Sequence, residues 1–475
     1  MTLRELRIAI RSLRRAPGFA VTGILTLAVA IGMTTSVFTV ADALLLRPLP
    51  YENAGRLAMI WGRSIDGGRD PVSFDDFEDW RRGSTTLESA ALFTSYYKPI
   101  LTGPGQAERL AALLVTHEYF TVMAAQPLLG RFFRPEEDRD GHDNVVVLSY
   151  QLWRNRFHGD PQVIGRSILL NARLHTIVGV ARPDLPLLPP SLAQQPAQIY
   201  RPVGEPFDSG SRDGRHLESL VRLRPGISLT EAQADLDVRC RQMQRQYPKA
   251  DAHLAAQIVG LRADLTRSTR AGMLSLQGAV LLLMLIACAN IAGLLLTKSN
   301  ARRREMAIRS ALGAGIGQLA RMLLTESLVL GLAGGFCGLL LTVWSIAAFS
   351  ALLARVLPDA GSLTINPAVL IFAILLSLAA SAIFGIAPIW QLSSVYPDAA
   401  LKSGIRVAGD RRHRLRQCLV AGQIALALML LVSVGLLGKS FLRLRAVNPG
   451  FDPQGVLTAS VSLPQVRYQS DASVI

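Results

Sequence analysis

Five long apolar segments constrain the fold of this chain more than any other feature. A helix needs about 20 apolar residues to cross the ~30 Å hydrocarbon layer of a bilayer, and each segment is too long for an ordinary core strand. The sequence therefore predicts an α-helical membrane protein with a large extracytoplasmic mixed α/β domain. The predicted spans cover residues 18–43, 273–297, 322–348, 367–391 and 417–439.

The first apolar segment follows a basic start and could be confused with a signal peptide. Ala41-Asp42-Ala43 resembles a small-residue cleavage site. The apolar run is nevertheless longer than the roughly 7–15 residues of a signal-peptide core. Its length favours an uncleaved membrane anchor.

The net charge of +15 is concentrated in three segments that flank apolar spans. Lys and Arg accumulate in cytoplasmic segments of membrane proteins, so this position accounts for the charge without a nucleic-acid partner. We expect the N-terminus inside a bacterial inner membrane, with membrane lipids as partners. Residues 298–321 and the linker 392–416 are then cytoplasmic, and residues 44–272, the short loop 349–366 and residues 440–475 are external.

Residues 1–17 are predicted to form a cytoplasmic amphipathic helix. An apolar stripe lies beside a stripe of arginines at the same helical spacing. Such a helix lies in the membrane interface with its arginines among the lipid phosphates, so we expect it to anchor the chain. The apolar stripe consists of Leu3, Leu6, Ile10 and Leu13.

The external segment has the pattern of a mixed α/β domain. Ser73 with Asp76 predicts a capped helix start, and the spacing of Phe74, Phe77 and Trp80 is typical of core packing. Other expected elements are strands at 56–61, 109–115 and 145–148, helices at 118–124 and 152–157, a hairpin of 167–170 with 175–180, a loop at 183–196, and a β-α-β unit of 217–223, 230–246 and 255–261.

Motifs for enzymes, cofactors and metals fail at decisive positions. His117-Glu118 begins like a metalloprotease motif, but position 121 is Thr rather than His. Gly438-Lys439-Ser440 resembles the end of a phosphate-binding loop, but position 433 is Ser where Gly is required. The four cysteines form no CxxC pair. We therefore predict no catalytic residue, cofactor site or metal site.

The segment between the second and third spans carries the most informative pattern. Glu305 and Arg309 are four residues apart, which supports a helix, and Gly313 is a plausible helix stop. A short amphipathic helix suits docking into a partner's groove, but a basic membrane flank explains the same residues equally well. The candidate contact residues are Arg303, Glu305, Ile308, Arg309, Leu312 and Gly313.

This segment, with its surroundings, resembles the MacB/FtsX-like ABC transporter permeases. It reads RRREMAIRSALGA over 302–314, with Leu323-Leu324 and Glu326-Ser327 after it and Ile286–Asn290 before it. In the external segment, Leu129-Gly130-Arg131-x-Phe133, Val146–Trp153, Gly159-Asp160-Pro161 and Val163–Arg166 resemble the MacB-like periplasmic core domain. The resemblance implies that residues 298–321 contact a separate ABC ATPase subunit, and that closure of the ATPase is transmitted mechanically to the periplasmic domain.

The fifth span departs from the four-span pattern of simple family members. Its surroundings repeat the first span at an offset of 400, and the chain thereby resembles a duplicated subgroup often found without an adjacent ATPase. We expect residues 440–475 to begin an incomplete second periplasmic domain of a truncated or degenerate chain. A homodimer or a pseudo-dimer of permease halves would follow. The matched pairs are Leu44 and Leu444, Tyr51 and Phe451, Glu52 and Asp452, Gly55 and Gly455, and Leu57 and Leu457.

Three functions remain open on these residues. The first is a permease that transmits mechanical motion, and the second is a membrane-anchored periplasmic sensor or scaffold without transport. The third, a secondary transporter, is disfavoured because the spans offer Asn290 and few other polar groups near the midplane. The third span contains two overlapping Gly-x-x-x-Gly pairs that favour close helix packing, formed by Gly331, Gly334, Gly335 and Gly338.

Overall fold

The chain divides into two compact units. One, the membrane unit, comprises Met1–Arg47 and Thr269–Val456, and the other, the outer unit, comprises Pro48–Ser268 and Leu457–Ile475. The computed structural model describes residues 3–47, 49, 51–63, 68–102, 107–139, 141–185, 196–204, 212, 214–248, 255–301, 316–353, 365–392 and 407–447.

Ten α-helices follow one another along the described part of the chain. The membrane unit contains helices from the beginning and from the end of this series. The outer unit contains the four short or medium helices between them. The helices are α1 (Leu3–Arg14), α2 (Pro17–Ala41), α3 (Phe74–Gly83), α4 (Tyr119–Val122), α5 (Tyr150–Arg156), α6 (Leu229–Gln246), α7 (Leu261–Ala301), α8 (Ile316–Leu353), α9 (Pro367–Leu392) and α10 (Val407–Arg445).

Five of the described helices contain stretches long and apolar enough to cross a membrane. This confirms the predicted fold class of five spans with a mixed α/β domain. The stretches are Pro17–Ala41, Thr269–Lys298, Ala320–Ala348, Pro367–Ile386 and Val420–Arg445. The last of them, on α10, has none of its most apolar window buried.

The core of the membrane unit lies where α2, α7, α8 and α9 meet. Ile31, Ile291 and Phe384 are fully buried there, and Leu27 and Leu330 pack with them. Helix α2 begins at Pro17. Proline is well tolerated at the first position of a helix, because the N–H that it lacks would have no partner within the helix.

Helix α1 forms as predicted but is rotated relative to the expected membrane-facing stripe. It packs on α8, and it buries Ala9, Ser12 and Leu13. Ile10, which the sequence grouped with Leu13, is 39% exposed. The apolar stripe of the sequence is therefore divided in the structure, because Leu13 packs against protein while Ile10 is exposed.

Within the described residues, the outer unit is built on one mixed sheet of thirteen strands. Its order is β13-β1-β12-β3-β6-β11-β8-β10-β9-β4-β5, with β2 beside β1 and β7 beside β10. Most neighbours are antiparallel, but β6 with β11 and β8 with β10 are parallel. The strands are β1 (Leu57–Arg63), β2 (Arg69–Asp70), β3 (Leu87–Thr94), β4 (Ile100–Thr102), β5 (Glu108–Arg109), β6 (Ala112–Val115), β7 (Pro127–Gly130), β8 (Val145–Leu148), β9 (Ser167–Leu170), β10 (Arg173–Ala181), β11 (Ile199–Pro202), β12 (Glu218–Leu223) and β13 (Ala256–Gly260).

Several local predictions for the outer unit are confirmed. The Ser73 hydroxyl accepts a hydrogen bond from the Asp76 N–H and caps α3, and Phe77 and Trp80 are both 1% exposed. Asn171 and Ala172 have φ angles of 47° and 64° in the turn between β9 and β10, as a tight hairpin requires. The predicted β-α-β unit is present as β12, α6 and β13, with β1 between its two strands.

The strand predicted over 109–115 is in fact two strands. Leu110 N–H donates to the Pro99 carbonyl, and the Ala111 carbonyl accepts from Gln198 N–H. The chain changes partners at this point, from β4 on one side to β11 on the other. A continuous apolar run over residues 110–115 passes through the break, which is why the sequence does not reveal it.

Candidate coupling site

The six predicted ATPase contacts lie in residues 302–315, outside the described residues. The described chain frames this segment closely, because α7 ends at Ala301 and α8 begins at Ile316. The six residues are Arg303, Glu305, Ile308, Arg309, Leu312 and Gly313.

A buried polar cluster joins the helices on both sides of that segment. Glu326 of α8 is 3% exposed, and its Oε1 atom accepts a hydrogen bond of 2.7 Å from the Ser12 hydroxyl of α1. The same oxygen forms an ion pair with Lys298 Nζ of α7. We call Ser12, Lys298 and Glu326 the Glu326 cluster.

The second helix of the membrane unit also reaches the Glu326 cluster. Lys298 Nζ lies 4.4 Å from the centre of the Phe19 ring, close enough for a cation–π interaction. The neighbouring side chains of the unit core are apolar, including Leu13 and Leu295. In such surroundings the loss of one partner leaves a buried charge uncompensated, which costs about 3–5 kcal/mol. The cluster therefore fixes α1, α2, α7 and α8 to one another at this end.

The four glycines of α8 divide between two neighbouring helices. Gly334 and Gly338 face α2, where a Cβ added at Gly334 would lie 2.5 Å from Leu27 Cβ. Gly331 and Gly335 face α9, where an added Cβ would overlap the Ser381 and Ser377 hydroxyls. Small residues allow helix backbones to approach closely inside a membrane. The two overlapping pairs thus place α8 between α2 and α9.

A second polar cluster closes the other end of α2. The Asn366 amide donates to Asp42 Oδ2 at 2.7 Å, and its carbonyl oxygen accepts from the Val369 N–H at the start of α9. Arg47 Nε lies 3.3 Å from the same Asp42 oxygen. Between them the chain makes a π-helical turn over Asp42–Leu46, closed by the bond from Arg47 N–H to the Asp42 carbonyl. We call Asp42, Arg47 and Asn366 the Asp42 cluster.

Two family models together match most of this chain. The family model of the MacB-like periplasmic core domain matches residues 21–238, and that of the FtsX-like permease C-terminal matches residues 278–397. The two matches occur in the family's order and cover most of the chain. The chain belongs to the MacB/FtsX-like ABC transporter permeases.

Curated relatives of the permease include macrolide export ATP-binding/permease proteins MacB. The protein from Escherichia coli (strain K12) is 26% identical over 289 residues, which cover 60% of this chain and 42% of the relative. The protein from Bdellovibrio bacteriovorus is 23% identical over 351 residues, or 71% of this chain and 50% of the relative. The permease thus spans about half the length of these relatives.

Two solved structures each resemble a little under half of the permease. The periplasmic region of MacB from Actinobacillus actinomycetemcomitans covers 46% of this chain and 94% of its own, at 14% identity and a TM-score of 0.34. The extracellular domain of the ABC-type transporter YknZ from Gram-positive bacteria covers 43% of this chain and 99% of its own, at 10% identity and a TM-score of 0.31. The match to the MacB-like periplasmic core domain, together with the five candidate spans, identifies the permease as an inner-membrane protein with a periplasmic domain.

His117 of the permease takes part in an ion-pair network within the outer unit. Its Nδ1 atom lies 2.6 Å from Asp138 Oδ2, and this hydrogen bond raises the pKa of the imidazole. The adjacent Glu118 accepts from Arg81 and from the Ala90 N–H. These contacts link α3, β3 and α4. Among the described residues of the permease, no group of three or more His, Cys, Asp and Glu side chains is placed to hold a metal.

The buried carboxyl of Glu218 lies near the N-terminal end of α7 in the outer unit. Since Ile60 pairs with Ser219, the next residues Trp61 and Glu218 lie across from each other on the opposite face. The Trp61 indole donates to Asp264 of α7 at 2.9 Å, and Arg69 pairs with the same carboxylate. Burial, with a smaller contribution from Asp264, raises the pKa of Glu218 to about 7.

Sequence reasoning missed the partners in both polar clusters of the permease. In the sequence Glu326 belongs to a motif of the resemblance, and Lys298 is the first residue of the cytoplasmic segment 298–321, so nothing there pairs the two. Asn366 directly before Pro367 is a cap signal that the sequence does contain. Ser12 lay unnoticed inside a helix whose arginines dominate its pattern.

Proposed function

We propose that this permease transmits motion of a separate ABC ATPase subunit to its periplasmic domain, for efflux or substrate extraction. In this proposal the N-terminus and residues 298–321 and 392–416 face the cytoplasm. The six residues from Arg303 to Gly313 named above contact the ATPase. Substrate need not pass through the spans, and a homodimer or a pseudo-dimer of permease halves completes the assembly.

The Glu326 cluster carries the proposal. Lys298 lies three residues before the end of α7, and Glu326 lies ten residues after the start of α8. The ion pair therefore joins the helix that enters residues 302–315 to the helix that leaves them. A force on that segment would move α7 and α8 together, and Ser12 would take α1 with them.

The glycine contacts extend this rigid connection along the membrane unit. Gly334 and Gly338 hold α8 against α2, and the chain runs from α2 through the π-helical turn into the outer unit. Helix α7 also continues without a break from Leu261 to Ala301. Closely packed, continuous helices suit the transmission of displacement because packed cores deform little.

Co-purification with an ATPase tests the proposal. Ile308→Asp places a carboxylate on the apolar face of the proposed contact, which should abolish ATPase binding and stimulated ATP hydrolysis. Ile405→Asp makes the same chemical change in the other basic linker and serves as the control. We expect the control to retain both activities at normal expression.

The alternative function is a membrane-anchored periplasmic sensor or scaffold. It predicts that Ile308→Asp and Ile405→Asp behave alike, or that no candidate ATPase binds the wild-type chain. Either result would contradict the transmission proposal and favour the scaffold.

Topology is tested separately by cysteine labelling from outside. A cysteine at Leu174, which is 65% exposed in the outer unit, should react with a membrane-impermeant maleimide. A cysteine at Ser310 should react only after the membrane is opened. Labelling of position 310 in sealed cells would reverse the proposed orientation and remove the ATPase contact.

A further inference from the structure

Helix α1 presents two chemically different faces. Leu6, Ala9 and Leu13 recur at helical spacing, and the last two are buried. The opposite face follows the same spacing over positions 7, 10, 11 and 14 and is exposed throughout. This basic face consists of Arg7, Ile10, Arg11 and Arg14.

The neighbouring helices fix the basic face at the membrane boundary. Only Arg15 and Ala16 separate the end of α1 from Pro17, where the first span begins. The other face of α1 packs on α8, so the helix cannot turn its arginines toward the protein. The basic face therefore points away from the helix bundle, beside the point where α2 enters the bilayer.

An exposed isoleucine between arginines favours a lipid surface over an acidic protein segment as the binding partner of the basic face. Ile10 is 39% exposed, and Arg7 and Arg14 lie one helical turn before and after it. Ile8 on an adjoining flank is 43% exposed. Acidic phospholipids offer phosphate groups directly above their acyl chains, which is the combination that interfacial basic helices use.

We propose that α1 binds acidic phospholipid headgroups through Arg7, Arg11 and Arg14, with Ile10 inserted among the acyl chains. The contact has a consequence on the opposite face of the helix. Ser12 reaches Glu326 there at 2.7 Å, so a bound lipid layer holds α1 where it completes the Glu326 cluster. Acidic lipid thereby stabilises the packing of α1 on α8.

Native mass spectrometry of the detergent-solubilised full chain tests lipid binding without any ATPase. The chain is titrated with phosphatidylglycerol and, in parallel, with phosphatidylcholine of the same acyl chains. We expect preferential binding of phosphatidylglycerol that weakens with added salt. Equal binding of the two lipids by the wild-type chain would overturn the proposal, whatever any variant does.

A charge-matched pair of variants locates the site. Replacement of Arg7, Arg11 and Arg14 by Gln should weaken phosphatidylglycerol binding roughly a hundredfold, at about a fivefold loss for each contact. The control replaces three exposed outer-unit arginines, Arg154, Arg173 and Arg241, by Gln, and should leave the preference unchanged. An unchanged preference in the α1 variant would refute the assignment.

Two further measurements separate lipid from a protein partner and binding from folding. Ile10→Ser should weaken phosphatidylglycerol binding without changing the net charge, whereas binding of a polyglutamate peptide should be absent from the wild-type chain. Tight polyglutamate binding with no lipid preference would assign the face to an acidic protein instead.

Hydrogen exchange of the α1 amides should slow on addition of phosphatidylglycerol in the wild-type chain, and no slowing would refute the link to packing.

Discussion

Gly32 of α2 and Gly338 of α8 bring two membrane helices into backbone contact. A Cβ added at Gly32 would lie 3.0 Å from the Gly338 carbonyl oxygen, and the Thr342 hydroxyl donates to the Gly32 carbonyl at 3.2 Å. Toward the C-terminal end of α2, Phe38 stacks on Phe372 of α9 with ring centres 3.9 Å apart. Helix α2 is therefore held along most of its length by α8 and α9.

Gly334→Ala should destabilise the membrane unit by about 1–3 kcal/mol, because the new methyl group would lie against Leu27 and force the helices apart. Gly293→Ala on α7 is the matched control, since no atom lies within 4 Å of its added Cβ. The control should be neutral or slightly stabilising, as Ala favours a helix more than Gly. Thermal unfolding in detergent measures both variants, and equal melting temperatures would contradict close packing at position 334.

Local signals in the sequence predicted the spans, the helix caps and the β9–β10 hairpin. Each depends on residues that are near one another along the chain, such as Ser73 with Asp76 or Asn171 with Ala172. The Glu326 cluster depends on packing between distant segments, since Ser12 and Glu326 lie 314 positions apart. Hydrophobic periodicity gives no information on which polar groups such packing brings together.

The rotation of α1 shows a further physical limit of sequence reasoning in membrane proteins. Lipid tails are as apolar as leucine side chains, so an apolar residue that faces lipid looks the same as one that faces a neighbouring helix. Leu13 is buried and Ile10 is exposed, although both belong to one stripe in the sequence. The Gly-x-x-x-Gly pairs in α8 were visible, but the helix that each pair faces was not.

Glu326→Gln should destabilise the membrane unit by about 3–5 kcal/mol because it leaves the Lys298 ammonium buried without its counter-charge. Lys298→Met should have a comparable effect for the opposite reason. Combining the two changes removes both charges, and the double variant should be more stable than either single variant. A double-mutant cycle of unfolding in SDS measures the coupling, and strictly additive effects would show that the ion pair contributes nothing.

Asn366→Asp should destabilise the outer end of α2 by about 1–3 kcal/mol. The aspartate keeps an oxygen for the Val369 N–H, but it places a second carboxylate against Asp42. The charge-exchanged double variant Asp42→Asn with Asn366→Asp restores one amide and one carboxylate, and it should recover most of the lost stability. Thermal unfolding of the three chains checks this, and failure of the exchange to recover stability would refute the direct contact.

Glu218 should make the outer unit less stable as the pH rises. Burial raises the pKa of its carboxyl to about 7 from 4.5, so the folded state retains a proton that the unfolded state loses. The resulting stability is fully present below pH 4.5 and is lost as the pH approaches and passes 7, by up to about 3 kcal/mol.

Glu218→Gln mimics the protonated form and should flatten this loss, so that the variant is more stable than the wild type at pH 8. The exposed Glu136→Gln is the control. Hydrogen exchange at β12 against urea concentration at pH 5 and pH 8 measures the difference, and equal pH slopes in Glu218→Gln and wild type would refute the role of this carboxyl.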